Sequence, residues 1–133
     1  MRFDFKADTK KIDQIINNDT KRDMLIRATA QQAAGNMQMS MTNSPATGKT
    51  YRRGSKTHIA SSPGNPPRVD MGTLRASILP VKIASKKHAI RTSVLHGFET
   101  EFGVGMAPRP WMRPEIVRVP SYIVEIAKGM KLI

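Results

Sequence analysis

Apolar positions recur at helical spacing along residues 9–41. Ile12, Ile15 and Ile16 share one face. After the Asn17-Asn18-Asp19 interruption, Leu25, Ala28, Ala33, Met37 and Met41 continue at mixed three- and four-residue steps. The pattern predicts a short helix followed by a long one. Asn18 or Asp19 is the expected N-cap of the long one, because a short polar side chain accepts from the unsatisfied N–H groups of a first turn. Met37, Met39 and Met41 are expected in the core or at a fraying helix end, with a soft partner-binding surface as the alternative, since thioethers adapt to irregular contacts.

Residues 42–70 break the period. They hold four prolines, three glycines and many Ser, Thr and Asn, and predict an extended loop or arm. Its length exceeds what a compact domain ordinarily carries without a functional reason. The end of the arm, Ser62-Pro63-Gly64-Asn65-Pro66-Pro67, has several fixed φ angles and is expected to be stiff. Asp70-Met71-Gly72-Thr73-Leu74-Arg75 then predicts a short helical turn capped by Asp70, with Gly72 and Leu74 shaping it.

From 78 to 94 the period changes to alternation. Ile78–Ala84 and Ala89–Val94 predict an antiparallel β-hairpin turning at Ser85-Lys86-Lys87-His88, with Val81, Ile83 and Ile90 for one buried face. Residues 113–131 return to helical spacing, with Ile116, Val119, Ile123 and Ile126 on one side and Pro120 kinking or restarting the helix. The fold class expected is α+β, as one domain over residues 1–133.

Charge changes this picture more than length does. The chain has 133 residues and a net charge of +12. Between Lys49 and Arg91 ten Lys or Arg face one acid, Asp70, so the excess is central. Such a block suits nucleic acid, an acidic protein surface or plain solvation. Cysteine is absent, which removes disulfides and thiolate chemistry. No apolar run reaches the ~18 residues of a membrane span, and the first residues lack a signal-peptide core, so a soluble, unprocessed chain is expected.

Catalytic patterns are weak. Thr47-Gly48-Lys49-Thr50 resembles the end of a phosphate-binding loop, but Asn43 stands where that loop needs its first glycine, and neither a preceding strand nor a following helix is predicted. His58, His88 and His96 fall on a loop, a turn and a strand end without flanking signatures, and His96 with Glu99 is the single close pair of metal-ligand type. Glu99 and Glu101, two apart on a segment read as extended, point the same way and are expected to meet a partner's cation. Neither an enzyme, nor a cofactor, nor a metal is expected.

Residues 101–114 look built for contact. Phe102 and Trp111 flank a turn of Gly103-Val104-Gly105 and Ala107-Pro108-Arg109-Pro110, and Arg109 and Arg113 bracket the sole tryptophan. Proline removes freedom before binding, and Trp and Arg often dominate interface energy. Tyr51, Arg52, Arg53, Pro66, Pro67, Glu99, Glu101, Arg109, Trp111 and Arg113 are the candidate interface residues; Asp70, Gly72, Leu74, Phe102 and Gly103 are candidate turn or cap residues, with Phe102 expected to plug the chain's own core.

These stretches also carry a resemblance. "TGKTYRRG", "HIASSPGNPPRVDMGTLRASI" and "FETEFGVGMAPRPWMRPEI" are similar, in order and approximate spacing, to the HK97 gp10-like family of tailed-phage neck or tail-completion proteins, over about residues 47–116. Two positions depart from the family pattern: Val104 stands where Thr follows Glu-Phe-Gly, and Pro108 separates Ala107 from Arg109. The resemblance implies a virion protein assembled in the host cytoplasm. It implies a homo-oligomeric ring, sixfold or twelvefold by analogy, between the head connector or head-closure proteins and the tail terminator or tail tube, with DNA passing through the lumen. The alternative left open is a sequence-independent nucleic-acid-binding protein, although seven aromatic residues offer little for stacking on single strands.

Overall fold

The computed structural model describes residues 2–4 and 18–133, and shows an α+β fold. The short helix expected before Asn17 lies outside the described residues. Helix α1 runs over Asp19–Thr42 and begins where Asn18, in extended conformation, accepts the Lys21 N–H at 3.0 Å. Its buried face is Leu25, Ile26, Thr29, Ala30, Ala33, Ala34, Met37 and Met41, the spacing that puts side chains on one stripe. Thr29 satisfies its hydroxyl on the Leu25 carbonyl at 2.8 Å. Of the three methionines, Met37 and Met41 are core and Met39 faces solvent.

Strands β1 (Arg2–Asp4), β4 (Leu79–Ala84) and β5 (Lys87–Arg91) form an antiparallel sheet in the order β1-β5-β4. The β4–β5 turn is tighter than expected: Lys86 takes φ +56°, and Lys87 and His88 are already in the strand. Ile90 is buried, whereas Val81 and Ile83 are only half-buried. Asp23 of α1 fastens this turn, accepting the Lys86 N–H and the Lys82 ammonium at 3.0 Å each. Those two donors hold its carboxyl below the ordinary 3.8.

Helix α2 (Thr73–Ser77) is short, and α3 (Leu95–Phe102) and α4 (Arg113–Gly129) complete the chain. Pro114 lies in the first turn of α4, where a missing N–H costs nothing. Pro120 neither ends nor restarts that helix, which continues to Gly129. Helix α1 packs on α4 and across β4 and β5. One core cluster joins Ala33, Ala34, Met37 and Met41 to Ile78, Ile90, Trp111, Met112 and Val119; a smaller one joins Leu25 to Ile123 and Ala127.

Two expectations fail here. Asp70 does not cap α2. Gly72 occupies the N-cap with φ +82° and no side-chain cap bond, because the chain must turn through the left-handed region, which glycine enters without a Cβ penalty. Asp70 looks outward to Arg53 instead. Residues 95–102 are helix, not extended chain: buried positions Gly97, Thr100 and Glu101 follow helical spacing, and the flanking strand pattern masked it.

Candidate functional site

The 42–70 segment is not structureless. Strands β2 (Thr50–Arg53) and β3 (Lys56–Ile59) pair as a second hairpin, Tyr51 opposite His58 and Arg53 opposite Lys56, turning at Gly54 with φ +58°. All of it except His58 is exposed. The Thr47-Gly48-Lys49-Thr50 stretch therefore feeds a strand, and its glycine serves the hairpin's base. The Gly48 N–H donates to Ala60 O at 2.8 Å and the Ala60 N–H to Lys49 O at 2.9 Å. A Cβ on Gly48 would collide with the Ser61 carbonyl, 2.8 Å from its carbon.

Below the hairpin the segment is stapled to the body. Ser44 donates to Pro66 O, the Gly64 N–H to Pro108 O at 2.9 Å, and Arg109 Nε to Ser61 O at 3.1 Å. Pro67 is buried and Pro66 half-buried, so the pair wedges the segment in place. The expected arm is thus a hairpin on a fixed root. Asp70 sets its angle through an ion pair to Arg53 Nη1 at 2.9 Å and a second approach to His58 Nδ1 at 3.8 Å.

The anchors expected at 99–114 exchange roles. Trp111 is 1 % exposed and donates its indole N–H to Gly97 O at 3.0 Å, so it belongs to the core. Phe102, expected inside, is 39 % exposed; it sits 5.0 Å from the Phe98 ring, with the Arg113 guanidinium 5.0 Å over its face. Glu101 is fully buried and meets no outside cation. Its carboxylate accepts the backbone N–H groups of Trp111, Met112 and Arg113 at 2.7, 2.9 and 3.0 Å, and Arg113 Nε at 2.8 Å. An acid there satisfies N–H groups that the start of α4 leaves open and complements the helix dipole. Glu99 turns to His96, 3.5 Å away. Gly103 ends α3 at φ +75°, donating to Glu99 O at 2.8 Å. Leu74 packs partly buried against the main core.

Two surfaces remain open. On α3, Leu95, Phe98 and Phe102 line one face at i, i+3 and i+7, and Leu95 is 72 % exposed. Val104 and Met106, also exposed, follow in the next turn. Beneath the hairpin, two adjoining clefts of about 180 and 270 Å³ share Arg53, Pro67, Arg68, Asp70 and His96. One extends to Met41, Leu74 and Arg75, the other to Tyr51, Ser61 and Arg109. Together they make a groove with an apolar floor and four arginines around one aspartate.

Of the sequence-predicted interface residues, the structure brings Tyr51, Arg53 and Arg109 to this groove, leaves Arg52 on the exposed hairpin and Arg113 over Phe102, and buries Pro67, Glu101 and Trp111. Sequence reasoning missed Arg68, Arg75 and His96 as groove residues. No periodic pattern marks them; the basic run was the sole signal. Among the described residues no three His, Cys, Asp or Glu side chains could hold a metal, and no helix is long and apolar enough to cross a membrane. Comparisons with protein families, curated proteins and solved structures find no match to the chain.

Proposed function

We propose that the chain is a structural virion protein of a tailed, siphovirus-like phage, forming a ring in the neck that joins head to tail and completes the tail. The observation that carries this reading is the β2–β3 hairpin. A two-stranded hairpin by itself is marginal in water. Here seven of its eight strand residues are exposed, while its root is held by Gly48, Ser44 and Arg109. A projecting ribbon on a rigid root suits insertion against a neighbouring subunit, where its open edges and exposed Tyr51 and Ile59 gain partners. The Leu95–Phe98–Phe102 stripe supplies an exposed apolar counterpart on α3.

The three ordered stretches resembling the neck family support the same reading, and the structure gives several of their residues local physical roles. Gly48 allows the hairpin root, Pro66-Pro67 wedge it, Gly72 turns the chain and Glu101 caps α4. Light scattering on the purified chain, with and without tail tubes, combined with cross-linking in intact particles, tests the reading. Multimers, and cross-links from residues 50–59 and 95–106 to other chains, are expected. A monomer indifferent to tails and missing from particles would refute it.

A further inference from the structure

The groove beneath the hairpin holds positive charge that its own chain does not neutralise. We propose that it binds an extended segment of a different protein in which acidic and apolar side chains alternate. Arg68 and Arg109 are positioned before any ligand arrives: Arg68 Nη1 donates to Ile59 O at 2.7 Å and Arg109 Nε to Ser61 O at 3.1 Å. Each guanidinium has five N–H donors; Arg109 Nη1 also approaches Ala107 O at 3.5 Å and Met106 Sδ at 4.0 Å, which leaves its Nη2 pair, and most of the Arg68 donors, for a carboxylate. Arg75 spends a donor on the Thr42 hydroxyl at 3.1 Å. Asp70, the sole acid in the lining, is engaged by Arg53 and His58. Between these cations the floor is the half-buried Val69 and Leu74 over the buried Met41 and Pro67, apolar surface that an apolar side chain covers and a phosphate backbone does not use.

Sister copies are poor donors of such a segment. After residue 17 the chain has seven acids, and six of them, Asp19, Asp23, Asp70, Glu99, Glu101 and Glu115, already face a basic side chain of their own chain; Glu125 is the seventh. At +12 per copy, assembled subunits would also repel, and an acidic neighbour relieves that repulsion. Clefts of about 180 and 270 Å³ admit side chains of an extended peptide and not a nucleic-acid duplex. The inference rests on the proposed assembly role for the existence of such a neighbour, but the groove is testable on the isolated chain whether or not rings form.

The experiment is an NMR titration of the isotope-labelled full chain with four probes: a Glu-Leu alternating peptide, its Lys-Leu counterpart, inorganic phosphate and short duplex DNA. The Glu-Leu peptide should shift the amides of Arg53, Arg68, Asp70 and His96, and the Lys-Leu peptide should not. Arg68→Gln and Arg109→Gln should each weaken binding by about tenfold, the loss of one good charged contact. Lys128→Gln, which removes the same charge from the last turn of α4, should leave it unchanged. Equal binding of the Lys-Leu peptide to the unaltered chain overturns the proposal, as does an equal loss with Lys128→Gln. Phosphate binding these amides as tightly as the peptide marks a general anion site and overturns it too. Tighter, steeply salt-dependent binding of the duplex transfers the groove to nucleic acid.

Discussion

The Glu101 carboxylate accepts the backbone N–H of Trp111 at 2.7 Å, while the indole of the same tryptophan donates to Gly97 O at 3.0 Å. Two residues thus lock the end of α3 to the entrance of α4, across a loop that carries Gly103, Gly105, Pro108 and Pro110. The loop is held at both ends, with Arg109 N–H on Thr100 O at 2.7 Å in between. Side-chain burial and backbone capping act on the same tryptophan, so neither is separable from the other in stability.

Replacing Glu101 by Gln should therefore cost about 3 kcal/mol, the scale for breaking a buried, hydrogen-bonded charge pair. An amide can accept on one atom only, and its NH2 would face backbone donors. Chemical denaturation of the variant against the parent chain measures the loss; a change below about 1 kcal/mol, the scale of one ordinary hydrogen bond, would show the cap to be dispensable.

Trp111→Ala and Phe102→Ala should separate cleanly. The first empties a buried site and should cost about 4 kcal/mol. The second removes a ring already half in water and should cost no more than about 1 kcal/mol, mostly its contacts with Phe98 and Arg113. Equal losses would contradict the burial of the one and the exposure of the other.

Gly48→Ala should loosen the hairpin without unfolding the core. The new Cβ meets the Ser61 carbonyl, which is backbone and cannot rotate away as a side-chain tip would. Faster amide exchange across residues 50–59, with α1 and α4 unchanged, is the expected pattern. Uniform loss of protection would mean that the hairpin root is part of the global fold.

Acid should weaken the chain through His88. This imidazole is 4 % exposed, its Nδ1 lacks a hydrogen-bond partner, and burial pushes its pKa below the ordinary 6.5, with Lys82 and Arg27 adding to that and Asp23 opposing it. The folded state thus binds the proton less readily than the unfolded one, so stability rises with pH and falls as pH drops below 6.5. Asp23 adds a second loss below its ordinary 3.8, because its folded carboxyl is the stronger acid. Thermal unfolding of the parent and His88→Gln chains across that range checks it: the variant should lose the upper step and keep the lower one.

The periodic elements were legible in the sequence because local spacing reports which face is buried. Helix α1 with its Asn18 cap, the β4–β5 hairpin and α4 all came from that signal. Three things were not legible, each for a physical reason. The β2–β3 hairpin has no buried face to impose alternation. Helix α3 is too short for a period to emerge beside a strand. The buried Trp111 and exposed Phe102 differ by where the chain folds back, which spacing does not encode.

By itself, then, the sequence determined the class of fold, the central excess of positive charge and the proline- and glycine-marked turns, since these follow from local sterics and composition. Only the tertiary structure decided that Glu101 points inward to cap a helix that starts twelve residues on, that Asp70 holds a hairpin and caps nothing, and that Arg53, Arg68, Arg75 and Arg109 line one groove. Those are contacts between segments distant in the chain. Their partners are chosen by packing, and no residue's neighbours in sequence reveal them.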